Sequence, residues 1–237
     1  MPNAKSNIVN LIKPYNVILS DHLSDSDINI LKSEYKEVIK YCFEHPNIRR
    51  INSIDKSKKF IPMSLIDLCM ELTQPKPNSD VYVPYSGNGG FAYRLENCKV
   101  EGFESDAELW AISQIVLDSQ NLHHSIKLSD KPIRNDKKYD YIYTSLLGPR
   151  TLSSNEEYAE MLTHLITNQL NDGGELLCFV PEQSLYLPED THVRKSLMES
   201  CQYSLTIITM PEKLLGFPVR GASILYVKKD YKGELTL

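Results

Sequence analysis

No apolar run in this chain approaches the roughly 18 residues that a membrane-crossing helix needs. The amino terminus lacks the basic-then-apolar order of a secretory signal, so the expectation is a soluble, cytoplasmic protein with no membrane partner. An excess of positive charge is also missing: 26 Lys and Arg stand against 31 Asp and Glu, for a net charge of −5. A globally basic surface for nucleic acid is thereby excluded, and any DNA partner must be met through a local patch or another subunit. None of the five cysteines (Cys42, Cys69, Cys98, Cys178, Cys201) forms a CxxC pair. Each adjoins or lies within an apolar stretch, which reads as buried thiols in a reducing compartment. The six histidines show no metal-ligand spacing. His123 and His124 are adjacent, which suits a loop better than a chelate, and no metal site is expected. Internal repeats and low-complexity tracts are absent as well.

What remains is ample for one α/β domain with a short extension, since 237 residues can bury a substantial core. Residues 1–58 read as a helical N-terminal extension and residues 59–237 as the main domain. Within the extension, Ser24 to His45 carries Ile28, Leu31, Tyr35, Val38, Ile39 and Cys42 at a helical period, with Pro46 as a stop. From Pro62 onward helices and strands alternate. Helices are expected over about Met63 to Leu72, Phe91 to Asn97, Ala107 to Ser119, Glu156 to Leu170 and Thr191 to Glu199. The fourth is read as ending at Asp172-Gly173-Gly174. Strands are expected at Val81, at Lys99 to Glu104, Ser125 to Leu128, Tyr139 to Thr144, Glu175 to Val180, Leu205 to Met210 and Ala222 to Lys228. Such alternation predicts a mostly parallel sheet covered on both faces, with the Val81 strand central.

Between the first strand and its helix lies the densest glycine turn, Pro84-Tyr85-Ser86-Gly87-Asn88-Gly89-Gly90-Phe91. Gly87 and Gly89 remove the Cβ atoms that would hold the main chain away from a ligand, and Gly90 allows a tight turn into the helix. A tight strand-to-helix connection with no ligand would look the same. Glu104 closes the second strand 104 − 87 = 17 positions after Gly87, near the ~20-residue spacing at which an acid reaches ribose hydroxyls. It could equally be a helix N-terminal charge, with Ser105 and Asp106 following.

From Phe60 to about Lys229 the chain resembles the catalytic core of the modification (M) subunits of type I restriction-modification systems. Those are S-adenosylmethionine-dependent DNA adenine-N6 methyltransferases. Their cofactor turn, Asp-Pro-x-Cys-Gly-Ser-Gly-Gly-Phe, is matched at Pro84, Gly87, Gly89, Gly90 and Phe91, and Gly102-Phe103-Glu104 is similar to their ribose-binding strand end. Asp172 to Glu182, Arg194 to Leu197, Ile207 to Pro211 and Gly221 to Leu225 follow the family's order and spacing. The resemblance implies a doubly wound, Rossmann-like methyltransferase fold with S-adenosylmethionine as cofactor. It also implies DNA reached through a separate specificity subunit, because only about 58 residues precede the core and little follows it. The cofactor residues it implies are Pro84, Gly87, Gly89, Gly90 and Glu104. Asp130 is either the family's acid against the cofactor adenine or a turn residue ahead of Lys131-Pro132.

Three family positions depart. The adenine-gripping Asn-Pro-Pro-aromatic segment reads Ser145-Leu146-Leu147-Gly148, the cofactor-turn Asp is Val83, and the Thr of Phe-x-Thr-Pro is missing from Phe60-Ile61-Pro62. Asn and a proline carbonyl accept hydrogen bonds from the adenine amine, and the aromatic stacks on the flipped base. Here the acceptor is shortened to a hydroxyl, both prolines are gone and the stacking ring is absent, so a catalytically impaired enzyme is expected, with Ser145 marking the degenerate position. Phe217 is either an aromatic for a flipped base or a hydrophobic anchor. Two other classes stay open. One is a non-catalytic binding or assembly partner with a methyltransferase fold. The other is a nicotinamide dehydrogenase, since Gly87 to Ala92 fits GxGxxA, although no hydride-transfer site accompanies it.

Overall fold

The computed structural model describes residues 61–106, 109–110, 113–114, 117, 122–129, 137–147, 155–186, 191, 195, 203–211 and 221–229. The extension over 1–58, with its Ser24 to His45 helix, lies outside them.

Helix α1 (Met63–Thr73) starts behind Pro62, whose carbonyl accepts from the Leu65 and Ile66 amides, and stops where Gln74 turns left-handed before Pro75. It buries Leu65, Ile66, Cys69 and Thr73. Then follow β1 (Asp80–Pro84), α2 (Gly90–Arg94), β2 (Lys99–Glu104), β3 (His124–Leu128) and β4 (Tyr139–Ser145). Helix α3 (Asn155–His164) runs through a π-helical turn (Leu165–Gln169) into β5 (Leu170–Pro181). A 3-10 turn (Glu182–Leu185), β6 (Ser204–Met210) and β7 (Ala222–Lys228) complete the described elements.

The strands form one sheet in the order β3-β2-β1-β4-β5-β7-β6. β1 pairs parallel with β2 and β4, while β7 runs antiparallel to both its neighbours. The chain therefore winds outward in two directions from β1, and a crevice opens between the carboxyl ends of β1 and β4. Alternate side chains feed two apolar layers, one on each face. Val81, Val83, Tyr143, Leu177, Phe179 and Ile224 lie in one, packed with α1 and α2. Tyr82, Phe103, Ile142, Leu176, Cys178 and Val180 lie in the other, packed with Met161 and Leu162 of α3. Burial on both faces is why these strands read as nearly continuous apolar runs.

Several boundaries move. The helix expected to run to Leu170 and stop at Asp172-Gly173-Gly174 ends earlier, and that tripeptide lies inside β5. There the register with β4 shifts between Tyr139 and Tyr141; on the other side of β5, Gly173, at φ +78°, donates to the carbonyl of Lys229, just past β7. A glycine pair thus marks an irregular strand instead of a helix cap. The second helix is five residues long and ends before Asn97, and His124 opens β3 instead of lying in a loop. β1 is interior as expected, but β4 is the middle strand. Of the helices expected over Ala107 to Ser119 and Thr191 to Glu199, only isolated residues are described, and these are helical.

Candidate functional site

The site grows from the carboxyl end of β1. Pro84 ends the strand, and its carbonyl accepts a buried hydrogen bond from Thr144 Oγ1 of β4 at 2.8 Å, which sets the width of the crevice. Tyr85 then takes a left-handed conformation, φ +53°, unusual for an aromatic residue. Its ring packs edge-on against Phe103 at 4.7 Å, a contact that offsets the strain. The Ser86 amide donates to the Phe103 carbonyl at 2.9 Å, and the Gly89 amide closes the turn onto the Ser86 carbonyl at 3.0 Å.

The three glycines serve different ends. Gly87 has φ +59°, and a Cβ there would meet nothing within 4 Å, so its backbone faces open space. Gly89, at φ +85°, lies against Ser113, whose Cβ would be 3.0 Å from an added Cβ. Gly90 lies against Ile66 of α1, where an added Cβ would be 2.6 Å from Cδ1. A Cβ would find open space at Gly87, whereas at Gly89 and Gly90 it would meet packed side chains.

Glu104 joins this turn to β2. It is 4% exposed. Its Oε2 accepts from the Gly87 amide at 2.6 Å, and its Oε1 accepts from the Ser105 and Asp106 amides at 2.8 and 2.9 Å. The carboxylate thus meets the following backbone, as the helix-terminus alternative anticipated, and at the same time grips the glycine turn. Burial pushes its pKa above the ordinary value, against the pull of the three amides. Oε2 carries one such bond and keeps acceptor capacity for a ligand hydroxyl.

The end of β4 is built differently. Ser145 is half-buried at the end of β4, opposite Phe179 of β5. Beyond it Leu146 and Leu147 are 6% and 3% exposed. Leu146 enters the α3-side layer and Leu147 the α1-side layer, and the Leu146 amide is tied to the Phe179 carbonyl at 2.9 Å. Val83 is fully buried, and Ile61 packs on the same layer. The structure therefore brings Pro84, Gly87, Gly89, Gly90 and Glu104 together, with Ser145 on the next strand; Asp130 and Phe217 lie outside the described residues. Sequence reading missed Tyr85 and the Thr144 clamp. No local pattern marks an aromatic with positive φ, and a hydroxyl in an apolar strand was the one available signal for Thr144.

Among the described residues no group of three His, Cys, Asp or Glu could hold a metal ion, and no helix is long and apolar enough to cross a membrane. Cys69, Cys98 and Cys178 are buried free thiols whose pKa values burial raises, that of Cys69 to about 12.

The fold built on this sheet is shared with solved structures. A candidate class I S-adenosylmethionine-dependent methyltransferase from Listeria monocytogenes superposes with a TM-score of 0.65 at 15% identity, over 86% of this chain and 70% of that one. This chain has the methyltransferase fold. A methyltransferase from Pyrococcus furiosus matches with a TM-score of 0.58 at 15% identity, over 83% of this chain and 100% of its own. The type I restriction-modification methyltransferase subunit of Streptococcus thermophilus matches with a TM-score of 0.61 at 12% identity, over 83% of this chain. The present chain spans 49% of that subunit's length. No protein-family profile and no curated protein sequence matches the chain.

Proposed function

We propose that this chain binds S-adenosylmethionine at the turn between β1 and α2 and is impaired as a DNA adenine-N6 methyltransferase. The observation that carries the reading is a contrast within one crevice: the Gly87–Glu104 contact is intact, whereas Leu146 and Leu147 are sealed into the two apolar layers. The open backbone at Gly87 and the spare acceptor on Glu104 Oε2 fit a nucleoside with a ribose diol. When bound, the cofactor supplies an electrophilic methyl group. Glu104 would accept a ribose hydroxyl, the Gly87 backbone would admit the nucleoside, and the Thr144 clamp would hold β4 at its distance from β1.

Adenine N6 is a poor nucleophile because its lone pair is delocalised into the ring, so transfer depends on acceptors that position the amine. Ser145 offers one short hydroxyl, and two buried leucines offer no carbonyl fixed by proline and no stacking surface. Likeness to type I M subunits supports a place in a restriction-modification complex, with DNA read by a separate specificity subunit. In that setting the chain acts as a methyltransferase-fold partner more than as a catalyst.

Calorimetric titration with S-adenosylmethionine, followed by radiolabelled methyl transfer to duplex and single-stranded DNA, tests both halves. Glu104→Ala is expected to weaken binding at least about tenfold, as loss of a charge-assisted hydrogen bond of ~1.5–3 kcal/mol requires. Absence of binding by the wild type would leave the assembly-partner reading. Robust N6-methyladenine formation that Glu104→Ala abolishes would return the chain to the active enzymes.

A further inference from the structure

The two edges of the sheet are guarded unequally. β3 is five residues long, carries exposed Lys127, and has its Ile126 carbonyl covered by Trp110 Nε1 at 2.9 Å and Gln114 Nε2 at 3.5 Å. Short length, lysine and covering side chains are the usual protections of an edge strand against pairing. β6, at the opposite edge, is seven residues long and has no lysine, and among the described residues no side chain is hydrogen-bonded over it. Ser204-Leu205-Thr206-Ile207-Ile208-Thr209-Met210 contains no charge, proline or glycine in a chain that is 24% charged. Its register with β7 runs unbroken from Ser204 opposite Lys228 to Met210 opposite Ala222, so no bulge twists the edge away. Leu205 and Ile207 share one face and are 36% and 48% exposed, and Ser204, Thr206 and Thr209 are exposed too.

We propose that β6 pairs antiparallel with β6 of a second copy of this chain, about a two-fold axis at Ile207. The strand's lack of charge suits that occupant. Pairing about Ile207 sets Leu205 against Thr209, Thr206 against Ile208 and Ser204 against Met210, so no like charges meet although each chain carries a net charge of −5. A charged partner strand would find nothing on β6 to neutralise it. Isologous pairing also closes on itself, which satisfies both edges at once without growing a fibre. A lone strand pair buries less than the ~1,000 Å² that stable interfaces clear, so the dimer is weak and concentration-dependent. The inference uses neither the glycine turn nor the acceptor end and stands apart from the proposed function.

Sedimentation equilibrium of the full chain tests it. The wild type should pass from monomer toward dimer as its concentration rises to the order of 100 μM, the range of a weak pairing interface. Ile207→Lys, which sets two ammonium groups face to face, should stay monomeric with an unchanged thermal midpoint, because the side chain is about half exposed. Ile207→Cys should cross-link to itself under mild oxidation, since directly opposed residues lie within disulfide range, whereas Leu128→Cys on β3 should not. The cross-link decides the matter if the lysine variant fails to fold. A wild type that stays monomeric, dimerisation of Ile207→Lys equal to the wild type, or equal cross-linking from β3 and β6 would overturn the proposal.

Discussion

Two neighbouring strand ends in this molecule meet the same crevice with opposite chemistry. At the end of β1 and β2, polar backbone converges: Gly87, Ser105 and Asp106 amides all point at one buried carboxylate. At the end of β4, the chain turns its side chains inward, and Leu146 and Leu147 add to the two cores. The first arrangement carries a desolvation cost, which the three amides oppose while the carboxylate ties the glycine turn to the backbone after β2. The second stabilises the fold and leaves little to grip a substrate. Neighbouring strand ends of one sheet thus hold a hydrogen-bonded carboxylate on one side and core-packed leucines on the other.

Truncating Leu147 gives the largest test of that contrast. Leu147→Ala should cost about 2–5 kcal/mol in urea unfolding, the range for a leucine lost from a packed core, while Ser145→Ala should stay within about 0.5 kcal/mol. A loss below ~1 kcal/mol at Leu147 would mean that the acceptor end is not core, and the comparison would collapse.

Two glycines sharpen the other half. Gly87→Ala forces a left-handed alanine into open space, costing ~1–2 kcal/mol, and should leave a folded chain with weakened S-adenosylmethionine binding. Gly89→Ala adds a contact at 3.0 Å with Ser113 Cβ to the same backbone strain, so its unfolding midpoint should fall further. Equal stability in the two variants, or the reverse order, would show that the packing role assigned to Gly89 is misplaced.

The smallest effect is in pH. Burial holds the folded Glu104 carboxyl above the 4.5 it keeps when unfolded. Between those two values the folded state binds more proton than the unfolded one. Its contribution to stability therefore falls as pH rises through the window and is level above it. Subtracting Glu104→Ala unfolding free energies from those of the wild type should give a difference that declines upward from pH 4.5. A difference that grows with pH would mean that the three amides outweigh burial.

Much of this was legible along the chain. Periodicity marked α1 and all seven strands, and the spacing of Gly87 and Glu104 singled out two residues that are hydrogen-bonded at 2.6 Å. The misreadings share a cause. Asp172-Gly173-Gly174 looks like a helix stop, and only pairing with β4 and β7 makes it an irregularity within a strand. The second helix, expected to reach Asn97, is five residues long, a boundary that only packing settles.

By itself the sequence determined the alternation of strand and helix, the position of the glycine turn and the acid that answers it. These are local matters of period and backbone freedom, written in neighbouring residues. Tertiary structure alone decided which way Leu146 and Leu147 point, how Tyr85 holds its strained turn against Phe103, and which strands stand at the edges of the sheet. Each of those depends on what a distant segment brings within a few ångströms, and long-range contact leaves no period in the chain that makes it.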